Sequence, residues 1–490
     1  MTLEQEIQEV TYTEGLEVDK QSVFSKQEKE ISLEQEIKDF MHDQGIDVVG
    51  VAGPGRFDGP PSLDPEYIMK GAKSVVTFAL PLDAQATYDY LEKKSAIPHN
   101  LDLIRVHQRL IHAGLKLSRF LESKGFKAKI DEPNIKWRGT LNPFAYTPPF
   151  SHRYASYITG IAAPGLSGAA VTKEYGGSII LASVFTNAEL ESDPIMDPRE
   201  IYDGICQKCM ACAASCPTKM FANDEEEYAL INGQLYPRGK KRDINLCSYG
   251  CAGFHAPAPN LKYSSWGRGY NEKWIGQIPD PKEHNILWEL IKSTFRSEDF
   301  ASIMGIADTY SYPLEEGIFE APNFPNYEDL PGETEGQKMQ AYAEELEKIL
   351  KIPIDFPFVI TCASCAAVCG PNIKENQKRW KMLCKSGFVV LGENKEPVVT
   401  HDAQEALAIR KANPWIFPEK IKKIRLKSLW RMGTEKFGID LHGTLRRGRY
   451  YRRLEQAIAE QGKQETVEPS VREKVLEDIG ALDGLQEANG

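Results

Sequence analysis

Cys206-Gln-Lys-Cys209-Met-Ala-Cys212-Ala-Ala-Ser-Cys216-Pro217 is the stretch on which the reading of this chain turns. The spacing C-x-x-C-x-x-C lets one loop wrap three corners of an iron–sulfide cube, and the fourth cysteine, before proline, ligates a second cube. A second run, Cys362-x-x-Cys365-x-x-x-Cys369, lies downstream, and Cys247 stands between the two. The expected assignment is crossed. One [4Fe–4S] cluster takes Cys206, Cys209, Cys212 and Cys369, and the other takes Cys216, Cys247, Cys362 and Cys365. Two adjacent clusters form a path for electrons, so the chain reads as a redox protein. Disulfides need an oxidising compartment, and zinc takes its ligands in two separated pairs; both suit this run less well. Cys251 and Cys384 are left over as structural thiols, with Cys251 the nearer spare ligand.

With 490 residues, 41% hydrophobic and 26% charged, the chain has the composition of a globular protein with room for two or three domains. No apolar run reaches the length of a membrane span. The opening MTLEQEIQEVTYTEG is acidic and has no feature of an export signal, so the expected location is the cytoplasm, where thiols stay reduced. The net charge of −11 argues against broad contact with nucleic acid, which needs a positive footprint. The basic patch from Arg446 to Arg453 reads as a solvated helix face.

Residues 1–31 read as an N-terminal arm. A helix is expected from Leu33 to about Gln44, strands at Asp47–Ala52, Ser74–Leu80 and Phe126–Ile130, and an amphipathic helix from Asp102 to Lys124. Ala169–Val171 and Ser178–Phe185 are expected to pair as a hairpin around Lys173–Gly177. Alternating helices and strands suggest an α/β (α+β) core over 32–200. The iron–sulfur domain is expected in two parts, 201–251 and 356–385. Between them lies an aromatic-rich insertion, 252–355, of the kind that walls a substrate pocket. A C-terminal extension, 386–490, closes the chain.

Tyr146-Thr-Pro-Pro-Phe-Ser-His-Arg153, then Gly160-Ile-Ala-Ala-Pro-Gly-Leu-Ser-Gly-Ala-Ala-Val-Thr-Lys-Glu-Tyr-Gly176, followed by the cysteine runs in this order, resembles the superfamily of epoxyqueuosine reductases and reductive dehalogenases. The likeness covers about Asp47–Leu246 and Pro357–Lys374. It implies a nitroreductase-like corrinoid-binding core carrying an inserted ferredoxin-like double [4Fe–4S] domain. It also implies a base-off cobalamin at Gly160, Ala163, Gly165, Leu166, Ser167, Gly168, Tyr175 and Gly176. Small residues there would let the backbone approach a broad flat ring; tight packing within the protein is the competing use for them. Asp440-Leu-His442 lacks the final glycine of the motif whose histidine ligates cobalt, in keeping with the base-off expectation.

Within the superfamily the epoxyqueuosine reductases carry an aspartate where this chain has Tyr146, and the dehalogenases resemble it in carrying tyrosine. A phenol stays protonated near neutral pH and can supply a proton. The resemblance therefore implies a corrinoid-dependent reductive dehalogenase acting on an organohalide, with Tyr146 as donor. His152 and Arg153 are candidate assisting cations, because no Arg or Lys follows Gly176 in Gly177-Ser178-Ile179. Expected partners are an external ferredoxin or flavodoxin as electron donor and a second copy of the chain, with no nucleic acid and no integral membrane segment. The alternatives are an epoxyqueuosine reductase-like, tRNA-modifying enzyme and a two-cluster electron carrier.

Overall fold

The structure, a computed structural model, describes residues 31–131, 148–196, 205–242, 246–247, 258, 260–264, 266, 331–332, 341, 344–345, 363–393, 397–413 and 441–461. Tyr146, Cys251, Cys362, the arm 1–30, most of the insertion and the C-terminal 462–490 lie outside these residues.

The core is a four-stranded antiparallel sheet. Its strands are β1 (Val48–Ala52), β2 (Ser74–Pro81), β3 (Ala128–Asp131) and a strand at Ile179–Thr186, which we number β6, in the order β1-β2-β6-β3. Strand side chains alternate between faces, and the sequence exploits this. Val76, Phe78 and Leu80 of β2, with Ala182 and Val184 of β6, face one core; Val75 and Phe185 face another. Helix α1 (Leu33–Asp43) and the long helix α3 (Ile97–Ser123) cover the first face, supplying Ile37, Met41, Leu110 and Leu117. Helix α2 (Ala84–Leu91) leads into α3, and α4 (His152–Ile158) covers the opposite face with Ala155 and Ile158. The expected strands and helices are present, but every strand pairing is antiparallel, so the core is α+β rather than a parallel α/β sheet.

Helix starts follow the capping chemistry of their sequences. Ser32 Oγ accepts from Gln35 N at 3.3 Å, and Ser151 Oγ accepts from Tyr154 N at 3.4 Å. Asn372 does the same for α7 (Ile373–Lys385), accepting from Glu375 N at 3.0 Å.

The expected hairpin is not formed as read. β5 (Ala170–Val171) pairs with β4 (Ala163–Pro164), and β6 lies between β2 and β3. The bridge between Thr172 and Gly176, with Tyr175 N donating to Thr172 Oγ1 at 3.1 Å, closes the turn at Lys173–Tyr175. Gly177 N donates to Cys369 O at 2.9 Å and Ser178 Oγ donates to Ala366 O at 2.8 Å. These bonds tie the chain to the second cysteine run before it enters the sheet.

Around the cysteines the elements are short. α5 (Ala211–Ala214) and α6 (Ser364–Ala367) are single turns, and α7 follows α6. A long hairpin, β7 (Phe221–Ile231) with β8 (Gln234–Lys241), follows the first run; a second, β9 (Phe388–Leu391) with β10 (Pro397–Thr400), follows α7. Then come α8 (Ala403–Ala412) and α9 (Leu441–Gln461). α9 docks on β7, where Tyr450 Oη accepts from Leu230 N at 3.0 Å. Arg453 of the basic patch makes a paired contact with Asp58, 2.7 and 2.6 Å, in line with a surface role. Among the described residues no helix is long and apolar enough to cross a membrane.

Candidate functional site: a basin of converging thiols

Cys206, Cys209 and Cys212 of the first run meet Cys369 of the second around one cavity of about 70 Å³, whose wall includes Gly165, Leu166 and Asn376. Cys365 also bears on it, because its charge raises the pKa of both Cys212 and Cys369. Burial is the largest influence on these thiols. It pushes Cys206 up, Cys212 well up, and Cys369 up to about 12, and the neighbouring cysteines add to each shift. Thiolates this close repel one another, so the group is suited to a positively charged core placed among them.

N–H groups point at the sulfurs. Leu166 N donates to Cys206 Sγ at 3.3 Å, Asn376 Nδ2 to Cys209 Sγ at 3.4 Å, and Met220 N to Cys216 Sγ at 3.3 Å. Hydrogen bonds of this kind stabilise sulfur-borne charge and tune a cluster's potential. Cys216 and Cys247 pack with Cys206 and Cys212 against Leu166, Met210, Met220 and Phe221. Among the described residues no three His, Cys, Asp or Glu side chains stand close enough to hold a single metal ion. Four thiols gathered around one cavity are the kind of donor set that a four-iron cube takes at its corners. Cys384, on α7, is half-buried and burial pushes its thiol up to about 11.

The local backbone shows a repeat that the spacing rule alone does not reveal. Cys209-Met-Ala-Cys212-Ala-Ala-Ser-Cys216 and Cys362-Ala-Ser-Cys365-Ala-Ala-Val-Cys369 are the same eight-residue pattern. Met210 and Ala363, one residue after the first cysteine of each copy, both take left-handed φ, +60° and +47°. Each is followed by one helical turn, α5 or α6, and each copy closes with a bond from its last cysteine to the residue three before it: Cys216 N to Ala213 O and Cys369 N to Ala366 O. Left-handed non-glycine residues are uncommon and collect at functional sites. The identical Cys-x-x-Cys-Ala-Ala-x-Cys strings were the available sequence signal.

Arg379 of α7 joins this basin to the sheet core. It is 5% exposed, and its guanidinium donates to Ser178 Oγ (2.9 Å), Ala367 O (3.1 Å) and Glu375 Oε1 (2.8 Å). Tyr88 Oη of α2 donates to the same carboxylate oxygen at 2.6 Å.

The residues expected to cradle a corrin stand in close-packed surroundings. A Cβ on Gly160 would lie 2.1 Å from Pro194 O, on Gly165 2.6 Å from Val171 Cγ2, and on Gly176 2.1 Å from Gly370 O. On Gly168 it would meet Lys241 Nζ at 3.0 Å. Ala163, Leu166 and Ser167 are buried, while Tyr175 is half-buried. Small size in this segment thus serves packing within the protein, the competing use weighed above.

Of the proposed assisting cations, His152 is fully buried. Its Nδ1 lies 2.9 Å from Ser183 Oγ, which in turn is 3.1 Å from Thr77 Oγ1, and its Nε2 is 3.8 Å from Asp131 Oδ2. His152 therefore ties α4 to the sheet through Ser183 and faces Asp131 of β3. Arg153, next to it, points the other way, toward Gly168.

No family model matches the chain. Against curated proteins it is 26% identical over 203 residues to the epoxyqueuosine reductase of Atelocyanobacterium thalassa, covering 39% of this chain and 64% of that protein's length. A structure of epoxyqueuosine reductase with an epoxyqueuosine-modified tRNA-Tyr stem loop overlaps 72% of this chain and 98% of its own, at 18% identity and a TM-score of 0.31. A reductive dehalogenase structure bearing on B12-dependent dehalogenation overlaps 58% of this chain and 38% of its own, at 15% identity and a TM-score of 0.34. The sequence and structural neighbours are oxidoreductases, and both branches of the superfamily named above are among them.

Proposed function

We propose that this chain is an oxidoreductase that collects electrons on two [4Fe–4S] clusters and spends them on a reductive bond cleavage. The observation that carries this reading is the convergence of Cys369, from the distant second run, with Cys206, Cys209 and Cys212. Bound there, a cluster supplies one-electron transfer. The chain's own part is to hold the thiolates apart on two matching turns, to exclude water by burial, and to set sulfur charge with the N–H groups of Leu166 and Asn376. By the repeat, Cys216, Cys247, Cys362 and Cys365 serve the second cluster. An external low-potential donor of the ferredoxin or flavodoxin kind suits such a relay.

For the substrate, the sequence match supports an epoxyqueuosine reductase-like reaction on tRNA, reducing an epoxide, over the dehalogenation expected above. This also reopens nucleic acid as a partner despite the net charge of −11. One observation favours the second reading, reductive dehalogenation: Tyr146 stands where the reductases carry aspartate. A corrinoid is implied by the resemblance under either reading.

The test is anaerobic purification with iron counting and EPR, cobalamin titration, and turnover of an epoxyqueuosine-bearing tRNA stem loop against a halogenated phenol. About eight irons per chain with stem-loop turnover supports the first reading. Halide release moves it to the second. Clusters with no cobalamin uptake and no turnover leave an electron carrier.

A further inference from the structure

Three cations converge on one buried turn beside the thiol basin. Gly168 lies between β4 and β5, with φ of +71°. A Cβ placed on it would be 3.0 Å from Lys241 Nζ, 3.3 Å from Arg238 Cδ and 4.0 Å from Arg153 Nη1. Arg153 comes from α4, and Arg238 and Lys241 from β8. Gly239 N donates to Leu166 O at 2.7 Å, which clamps β8 onto this turn.

The charges do not balance. Arg238 is engaged: its Nη1 donates to Tyr154 Oη at 3.1 Å and its Nε is 2.9 Å from Glu227 Oε1. Among the described residues the Lys241 ammonium and the Arg153 guanidinium make no hydrogen bond or ion pair. Among the described residues Glu227 and the Cys247 thiol are the acidic groups that bear on these three cations. Gathering like charges in a half-buried site is unfavourable unless an anion answers them. The planar Arg153 guanidinium and the Lys241 ammonium are donors of the kind that recognise phosphate oxygens, and Arg238, held by Tyr154 and Glu227, adds its charge behind them.

We propose that Arg153, Arg238 and Lys241 form a binding site for a phosphate group, seated over Gly168. The site stands on its own geometry and does not depend on the redox reading. Its position matters to that reading all the same, because Leu166, two residues away on the same turn, donates to Cys206 Sγ. A phosphate-bearing molecule held here would lie beside the electron path. The phosphate could belong to a polynucleotide or to a small phosphate ester.

The experiment uses anaerobically purified, iron-loaded full chain. Inorganic phosphate, adenosine monophosphate and a short RNA stem loop are titrated by calorimetry into wild type, Lys241→Met, Arg153→Gln and the charge-preserving Lys241→Arg. Expected are saturable binding of one phosphate-bearing probe per chain, at least tenfold weakening in Lys241→Met and Arg153→Gln, and retention in Lys241→Arg with iron content unchanged throughout. A loss confined to the stem loop assigns the phosphate to a polynucleotide; a loss for adenosine monophosphate as well assigns it to a small ester. The proposal is overturned if wild type binds none of the three probes, or if binding is the same in all four proteins. A Lys241→Met protein that fails to fold leaves Arg153→Gln to decide.

Discussion

The sheet core and the thiol basin are both buried, yet they are held together on opposite terms. In the core, Phe78, Val184, Phe185 and Leu117 are fully or almost fully buried among apolar neighbours, and the strand ladders satisfy the backbone. Burying such side chains is favourable in itself. In the basin the buried groups are thiols that raise one another's pKa, set on turns with left-handed residues at Met210 and Ala363. Burial there stabilises nothing by itself; it places sulfur. The core is arranged for stability and the basin for chemistry, and Arg379 with Ser178 fastens one to the other.

The largest effect expected from breaking this contrast is on the basin side. Cys369→Ala removes the thiol that brings the second run to the first. Iron should fall from about eight to about four per chain, with the EPR signal of one cluster lost, while the thermal unfolding of the sheet core changes little. A variant that keeps all its iron would refute the crossed assignment.

The mirror-image change is Phe185→Ala. Phe185 is fully buried and meets Phe150 edge-to-face, with ring centroids 4.7 Å apart. Truncation leaves a cavity and should cost about 3–5 kcal/mol in denaturant unfolding, with the iron count of the folded fraction unchanged. Loss of iron in step with loss of stability would show that the two regions are one cooperative unit.

How much of this was legible beforehand differs between the regions for the same reason. The strands of the core were readable because β2 and β6 are continuous apolar runs, and α3 because its leucines recur at helical spacing. The meeting of Cys369 with the first run was anticipated because cluster chemistry fixes cysteine spacing. The pairing of β5 was not, because its two residues carry no periodicity and bonds from Gly177 and Ser178 to a segment nearly two hundred residues away decide its course. The use of the glycines near Gly165 was not legible for a related reason. A glycine in sequence announces a close approach, but not whether protein or ligand makes it. The cation cluster at Gly168 draws on α4 and β8, and only the folded chain brings them together.

The smallest effect is a pH slope, and it should arise on the core side. His107 and His99 of α3 are buried, and burial lowers each to about 4. His107 Nδ1 lies 2.7 Å from Leu103 O, which fits a neutral ring donating along the helix. In the unfolded chain both rings titrate near ~6.5. Between about 4 and about 6.5 the unfolded state therefore holds more protons than the folded state, and stability must rise with pH across that window and fall as acid is added. The limiting slope is about 1.4 kcal/mol per pH unit for each histidine. Urea unfolding at pH 7.5, 6 and 5 measures it, and His107→Gln should reduce the slope by its own share. The thiols, shifted upward, contribute nothing at these pH values. A slope that survives in the double variant His99→Gln, His107→Gln would place the acid-sensitive groups outside α3 and dissolve this part of the contrast between the two regions.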